Sequence, residues 1–390
     1  MNPMPNHKID WEEELLEFTQ ELVRNKSFSG QEEEVAKCIA SKMKELDYDE
    51  VKIDSYGNVL GRIGNGKKVI LFDSHTDIVQ VFDEELWAVP PFKGEIKDGF
   101  LWGRGAVDMK SGAAASIFAA AIAKKRGGVW GKTIYVSCTV YEEYCDGEGL
   151  KHLLEEYPID PDFVVICEPS SNLITLGHKG KAQLIIKTQG VSAHGSAPEK
   201  GVNAIYEMAE IIQRIEKTNL ELMKKEGRRG SLVLSQISSQ SVSLNAVPSE
   251  CEVYLDRRMV VGETEETIRN EMERIIGSSQ ASWSIGTIHV QTWTGKEITY
   301  EPFHMAWEIS QNHPLTQAFV GACTEICGGV PEKFDFWDFS TNAVAVVKKG
   351  IPTIGFGPGE SKLAHMRDEK CPVDQILDAC QIYEKVIEKL

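Results

Sequence analysis

Apolar residues recur at helical spacing over Trp11 to Val23 and again over Gln31 to Leu46, each run preceded by a residue able to cap a helix, Asp10 and Ser29. The period then shortens. Val51 to Ile63 alternates as strands do, around a Tyr56-Gly57-Asn58 turn, and Lys68 to Phe72 is a short apolar run ending at Asp73-Ser74-His75. Ser111 to Lys125, rich in small residues, reads as a helix suited to lying against a sheet. Thr133 to Val140 and Phe163 to Cys167 read as buried strands, with a helix over Gly149 to Glu156 between them. Strands alternating with helices predict an α/β fold with a mixed, largely parallel sheet and flanking helices.

From about Lys181 the order changes. A strand (Ala182 to Thr188) precedes a long helix (Asn203 to Lys225), then two strands (Ser231 to Ile237 and Cys251 to Met259). A second helix (Glu265 to Ile276) and a strand (Trp283 to Gln291) complete β-α-β-β-α-β, the ferredoxin-like α+β order. The α/β pattern resumes with helix Pro314 to Cys327, strands Val344 to Val347 and Thr353 to Phe356, and helix Asp374 to Lys389. The expected organisation is a catalytic-type domain in two parts, 1–180 and 295–390, with a smaller domain, 181–294, inserted between them.

Composition narrows the partners. The 390 residues carry 59 Asp and Glu against 42 Lys and Arg, a formal charge of −17. That excess opposes a nucleic-acid or anionic-membrane partner, both of which need a basic footprint. Met1 to Ile9 has no apolar core of the kind a signal peptide needs, and the longest apolar run, Ala113 to Ala123, stops at Lys124-Lys125-Arg126. The nine cysteines are odd in number, scattered and without a Cys-x-x-Cys pair, which fits reduced thiols. A cytoplasmic protein is the expectation.

The candidate chemistry gathers where an open α/β sheet presents ligands, at the ends of its strands. His75 and Asp77 follow one strand, and Asp108 lies in the glycine-loosened loop Gly103 to Lys110. Glu142-Glu143 and Glu168 end two more strands, and His365 follows the Gly355-Phe356-Gly357-Pro358-Gly359 turn. Each alone is ordinarily a cap or turn residue. Together they form an oxygen-and-nitrogen donor set suited to zinc, cobalt or manganese. Two divalent ions would be balanced by the carboxylates of Asp108, Glu143 and Glu168 with one hydroxide. Glu142 would then be free to act as a base, and Asp77 is placed to accept the second N–H of His75.

These stretches resemble the co-catalytic zinc deacylase and exopeptidase superfamily: Ser74-His75-Thr76-Asp77, Gly105-Ala106-Val107-Asp108-Met109-Lys110, Glu142-Glu143, Cys167-Glu168-Pro169 and the late His365. Its members include succinyl-diaminopimelate desuccinylase, acetylornithine deacetylase, aminoacylase and zinc carboxypeptidases and dipeptidases. Finer stretches are similar to the YgeY-type hydrolases, a subgroup linked to selenium metabolism: Glu142 to Gly147, Val191 to Pro198, Asp256-Arg257-Arg258, Phe339 to Asn342 and Gly355 to Gly359.

The resemblance implies one metal on His75 and Glu168, a second on Glu143 and His365, and Asp108 bridging them. Glu142 would be the general base and Asp77 would orient His75. It further implies that the inserted domain is a lid through which two copies dimerise. His194 would then reach the partner's active site, while Asn245, Arg258, Thr341 and Gly359 would meet substrate. Arg258 suits a carboxylate. The implied reaction is hydrolysis of an N-acyl or N-carbamoyl amino acid by a pair of divalent ions, zinc first. A dipeptidase or carboxypeptidase, or a non-catalytic amino-acid-binding relative, is the alternative. Tyr144-Cys145-Asp146-Gly147 departs from the sequence that commonly follows the Glu pair, so specificity does not carry over.

Overall fold

A computed structural model describes residues 11–390; the candidate cap Asp10 and the segment Met1 to Ile9 lie outside the described residues. Among the described residues the main sheet has nine strands. Its order is Glu50–Ile53, Val59–Gly64, Lys132–Thr139, Lys68–His75, Phe163–Ile166, Thr353–Gly355, Thr175–His178 and Trp307–Glu308, with Asp335–Trp337 added beside Thr175–His178. The centre is parallel: Lys68–His75 runs with both of its neighbours, and Thr353–Gly355 runs with Phe163–Ile166. The outer pairings are mainly antiparallel.

Central strands of such a sheet are covered on both faces, so they read as continuous apolar runs. Lys68–His75 is buried from Ile70 onward. Ile70 and Phe72 enter one core, with the helices Trp11–Arg24, Glu33–Glu45, Ser111–Lys125 and Val373–Lys389. Leu71 points to the other face, against Leu150, Leu153, Val164 and Ile166. The small-residue helix Ser111–Lys125 is buried at nearly every position. The stretch Ala106–Lys125 is apolar and long enough to cross a membrane, but 89% of its most apolar window is buried inside the protein, as in a core helix.

The second sheet has the order Ser231–Gln240, Glu250–Met259, Gly180–Gln189, Ser282–Ile285, all antiparallel. This is the strand order of a ferredoxin-like βαββαβ unit. Ala182, Leu184, Ile186, Val253 and Leu255 face the helices Ala204–Met223 and Glu265–Ile276 in a core of their own. Arg257 shares that covered face and is held by Glu271 at 2.8 Å and Glu263 at 2.7 Å. The alternate residues, Lys181, Gln183, Tyr254, Asp256 and Arg258, lie on the open face.

Three sequence expectations differ from the structure. Val344–Val347, a β-branched run, is a short helix. Thr341 and Asn342 start it: Ala343 N–H donates to Thr341 Oγ1 at 3.2 Å, and Ala345 N–H donates to the Asn342 carbonyl at 3.0 Å. Local turn bonding overrides strand propensity there. The strand expected over Trp283 to Gln291 breaks at Gly286, whose N–H donates to Gln183. Ile288–Gln291 then pairs with Glu297–Tyr300 in a separate hairpin. Ser29 does not cap the second helix, which begins after Glu32; its hydroxyl donates to Asp77 at 2.7 Å.

Candidate metal centre

His75 ends the central strand and is buried. Its Nε2 lies 2.9 Å from Asp108 Oδ1 and 3.7 Å from Glu168 Oε1. His365 approaches from the opposite side, its Nε2 3.1 Å from Asp108 Oδ2 and 2.9 Å from Glu143 Oε2. Asp108 therefore turns one oxygen to each imidazole, and a second carboxylate stands beside each histidine. Donor atoms of His75, Asp108 and Glu143, and of His75, Glu142 and Glu168, fall within 4.8 Å of one another.

The charge balance of this group calls for cations. Four carboxylates gather around two imidazoles, His75 buried and His365 half-exposed. Burial and the neighbouring carboxylates push Glu142 and Glu168 well above the usual carboxylate range, and burial with Asp108 beside it pushes Glu143 up to about 7. Burial opposes ionisation of Asp108 too, but His365 and His75 hold its pKa below the usual value. Hydrogen bonds to Asp108 and Glu143 raise His365 to about 10. Divalent ions would balance these charges through a donor set of imidazole and carboxylate with no sulfur, which fits zinc, cobalt or manganese.

The scaffold behind these groups is specific. His75 Nδ1 donates to the backbone carbonyl of Asp77 at 3.0 Å, with the Asp77 carboxylate farther away at 3.5 Å. That carboxylate instead accepts the N–H groups of Glu142 at 3.0 Å and Glu143 at 3.1 Å. Asp77 thus orients the imidazole mainly through its carbonyl, while its side chain holds the loop of the Glu pair. Tyr141, just before that pair, and His365 both have φ near +62°. Such left-handed geometry costs a non-glycine residue roughly 1–3 kcal/mol, and it occurs here just before the Glu142-Glu143 pair and at His365 itself.

Glu369 fixes the Asp108 loop. It accepts from Val107 N–H at 2.8 Å and Asp108 N–H at 3.1 Å, and pairs with Arg104 at 2.5 Å. Lys110 Nζ donates to the carbonyls of Leu22 and Asn25, closing the loop onto the first helix.

A cavity of about 280 Å³ opens on the cluster, lined by Asp108, Glu142, Glu143, Asp146, Glu168 and His365 together with Lys181, Arg258, Phe339, Ser340, Ser361 and Ala364. Arg258 is in this wall, gripped by Asp256 at 2.7 and 3.0 Å. Thr341 is buried beneath it as a helix-starting residue, and its neighbours Phe339 and Ser340 face the cavity instead. Gly359 is also buried, at φ +91°, where a side chain would press on Val107. It supports the loop that leads to Ser361 and His365. His194 and Asn245 are both exposed and lie side by side at one end of the ferredoxin-like unit, where His194 bridges to Ala246 and Gly195 N–H donates to the Asn245 carbonyl at 2.6 Å. Neither lines the cavity of its own chain.

Sequence reasoning missed Lys181, Asp146, Glu369 and Arg104. Lys181 carried a signal, a lone charge opening a strand whose neighbours are buried. Glu369 and Arg104 carried none, because 265 residues separate them.

Comparison with known proteins gives a family and relatives. The model of the peptidase family M20/M25/M40 matches residues 71–389. The chain is 34% identical over 381 residues to YgeY of Escherichia coli (strain K12), an uncharacterized protein; the match covers 97% of this chain and 94% of that one. It is 28% identical to the acetylornithine deacetylase of Vibrio parahaemolyticus, over 91% of both chains. Among solved structures, the YXEP protein of Bacillus subtilis, a dinuclear metal binding peptidase of the M20 family, superposes with a TM-score of 0.71. It is 14% identical, over 97% of this chain and 98% of that one.

Proposed function

The chain belongs to the peptidase family M20/M25/M40 and is a metal-dependent hydrolase; on that premise we propose that it cleaves the amide bond of an N-acyl or N-carbamoyl amino acid. The observation that carries this reading is Asp108, with one oxygen toward His75 and the other toward His365, in a cavity whose walls also hold Glu142 and Arg258. His75 and Glu168 would hold one ion, Glu143 and His365 the other, and Asp108 both, with zinc the first choice among ions this donor set accepts. Two such ions, when bound, supply Lewis acidity and a water acidified toward neutral pH. Glu142, buried beside them, accepts a proton from the attacking water and returns it to the leaving amine. Arg258 grips the substrate carboxylate and so places the amide against Glu142.

Release of free amine from N-acyl amino acids, N-carbamoyl amino acids and dipeptides by the zinc-, cobalt- or manganese-loaded protein tests this. Turnover of an acyl or carbamoyl amino acid is expected; turnover of dipeptides alone would make it a dipeptidase.

The lid supports a homodimer. Its outer strand, Ser231–Gln240, is exposed along most of its length, and Val233, Ile237, Val242 and Leu244 are apolar and open to solvent. An open apolar edge of this kind is a template for pairing with a second copy. In such a dimer His194 stabilises the oxyanion in the partner's site. The variant His194→Ala is then expected to lose about 100- to 1,000-fold in kcat. Mixing it with a Glu142→Gln variant should restore activity, since one site of each mixed dimer is intact. A mixture that stays inactive at any ratio rejects the contribution across the interface.

A further inference from the structure

Lys181 and Arg258 are directly opposite each other on adjacent antiparallel strands of the lid, and both line the cavity over the metal cluster. Like charges in that relation are unfavourable. Each is compensated separately. Arg258 is held by Asp256 on its own strand, whereas Lys181 reaches out of the lid to Asp146, three residues beyond Glu143, at 2.9 and 3.2 Å.

A strut between the lid and the loop of the base would explain contact between Lys181 and Asp146, but not its chemistry. A buried ion pair seldom recovers its desolvation cost against an apolar pair of the same shape. An ammonium has three N–H donors. Both protein contacts of Lys181 go to one carboxylate, which leaves donor capacity in a wall shared with Glu142 and Arg258.

We propose that Lys181 determines specificity: beside Arg258, it recognises a second carboxylate on the substrate, which makes the preferred substrate the N-acyl derivative of an acidic amino acid. The register supports this. Directly opposite positions on adjacent strands turn their side chains to the same face, so both cations reach the one cavity. One carboxylate meets Arg258 and the other Lys181, with the amide nitrogen between them directed to Glu142. Asp146, itself in the cavity wall, holds the ammonium at the cavity.

The inference rests on the deacylase reading, and the test separates the two. With zinc-loaded full-length protein, kcat/KM is measured on N-acetyl-aspartate, N-acetyl-glutamate and N-acetyl-norvaline. A preference of about tenfold or more for the acidic substrates is expected, the scale of a charge-assisted contact. It should collapse in Lys181→Gln and persist in Lys181→Arg. Should Lys181→Gln fail to fold with Asp146 uncompensated, Lys181→Gln combined with Asp146→Asn carries the same test. Equal kcat/KM on all three substrates, or an acidic preference unchanged by Lys181→Gln, overturns the proposal. If no N-acyl amino acid is cleaved, the deacylase reading fails. Calorimetric binding of aspartate, glutamate and norvaline to zinc-loaded Glu142→Gln then decides: tighter binding of the acidic pair upholds the role of Lys181, and equal binding rejects it.

Discussion

Glu142→Gln is expected to lower kcat by at least about 100-fold, the usual worth of a general base, with metal content unchanged. The substitution keeps the shape and the backbone. Glu142 N–H still donates to Asp77 at 3.0 Å, so the loop that carries Glu143 stays in place. What is lost is the ability to accept and return a proton in a cavity whose other carboxylates are the proposed ligands Asp108, Glu143 and Glu168, and Asp146, which is bound to Lys181. Turnover is read with the preferred substrate and metal by mass spectrometry. Near-normal kcat with two ions bound would remove Glu142 from its role.

Asp108→Ala is expected to be the most damaging substitution, because it strips a donor from both halves of the cluster at once. Each histidine loses its shortest or next-shortest contact: His75 at 2.9 Å and His365 at 3.1 Å. Loss of a supporting partner outside the ligand set typically costs 10- to 100-fold in metal affinity, so removal of a shared ligand should exceed that. Metal content should fall below two ions per chain and activity should be lost. Added zinc should raise the melting temperature of the wild-type protein, as a ligand present at 100 times its Kd stabilises by about 2.7 kcal/mol. It should do so much less for the variant. A variant that retains two ions and activity would show that Asp108 does not bridge.

Much of this was legible in the chain. Helices such as Ser111–Lys125, Glu265–Ile276 and Pro314–Cys327 fall where the residue pattern puts them, because each carries its own apolar stripe or small-residue face. His75, Asp108, Glu143, Glu168 and His365 converge because four come from short segments after strands or at a loop–helix junction, positions that open sheets turn toward one side. Illegible were the Val344–Val347 helix, decided by Thr341 and Asn342, and the break at Gly286. So was the role of Asp77, whose carboxylate holds the glutamate loop while its carbonyl takes the imidazole.

Local pattern and residue type by themselves determined the order of most elements and the β-α-β-β-α-β run, and pointed to the residues proposed here as metal ligands, since these depend on periodicity and on chemistry carried by single side chains. Only the tertiary structure decided that Asp108 lies between two histidines, that Glu369 and Arg104 lock its loop, and that Lys181 stands beside Arg258 facing Asp146. These are contacts between residues far apart in the chain. Their energies depend on burial and on which charge ends up opposite which, and a one-dimensional pattern holds neither.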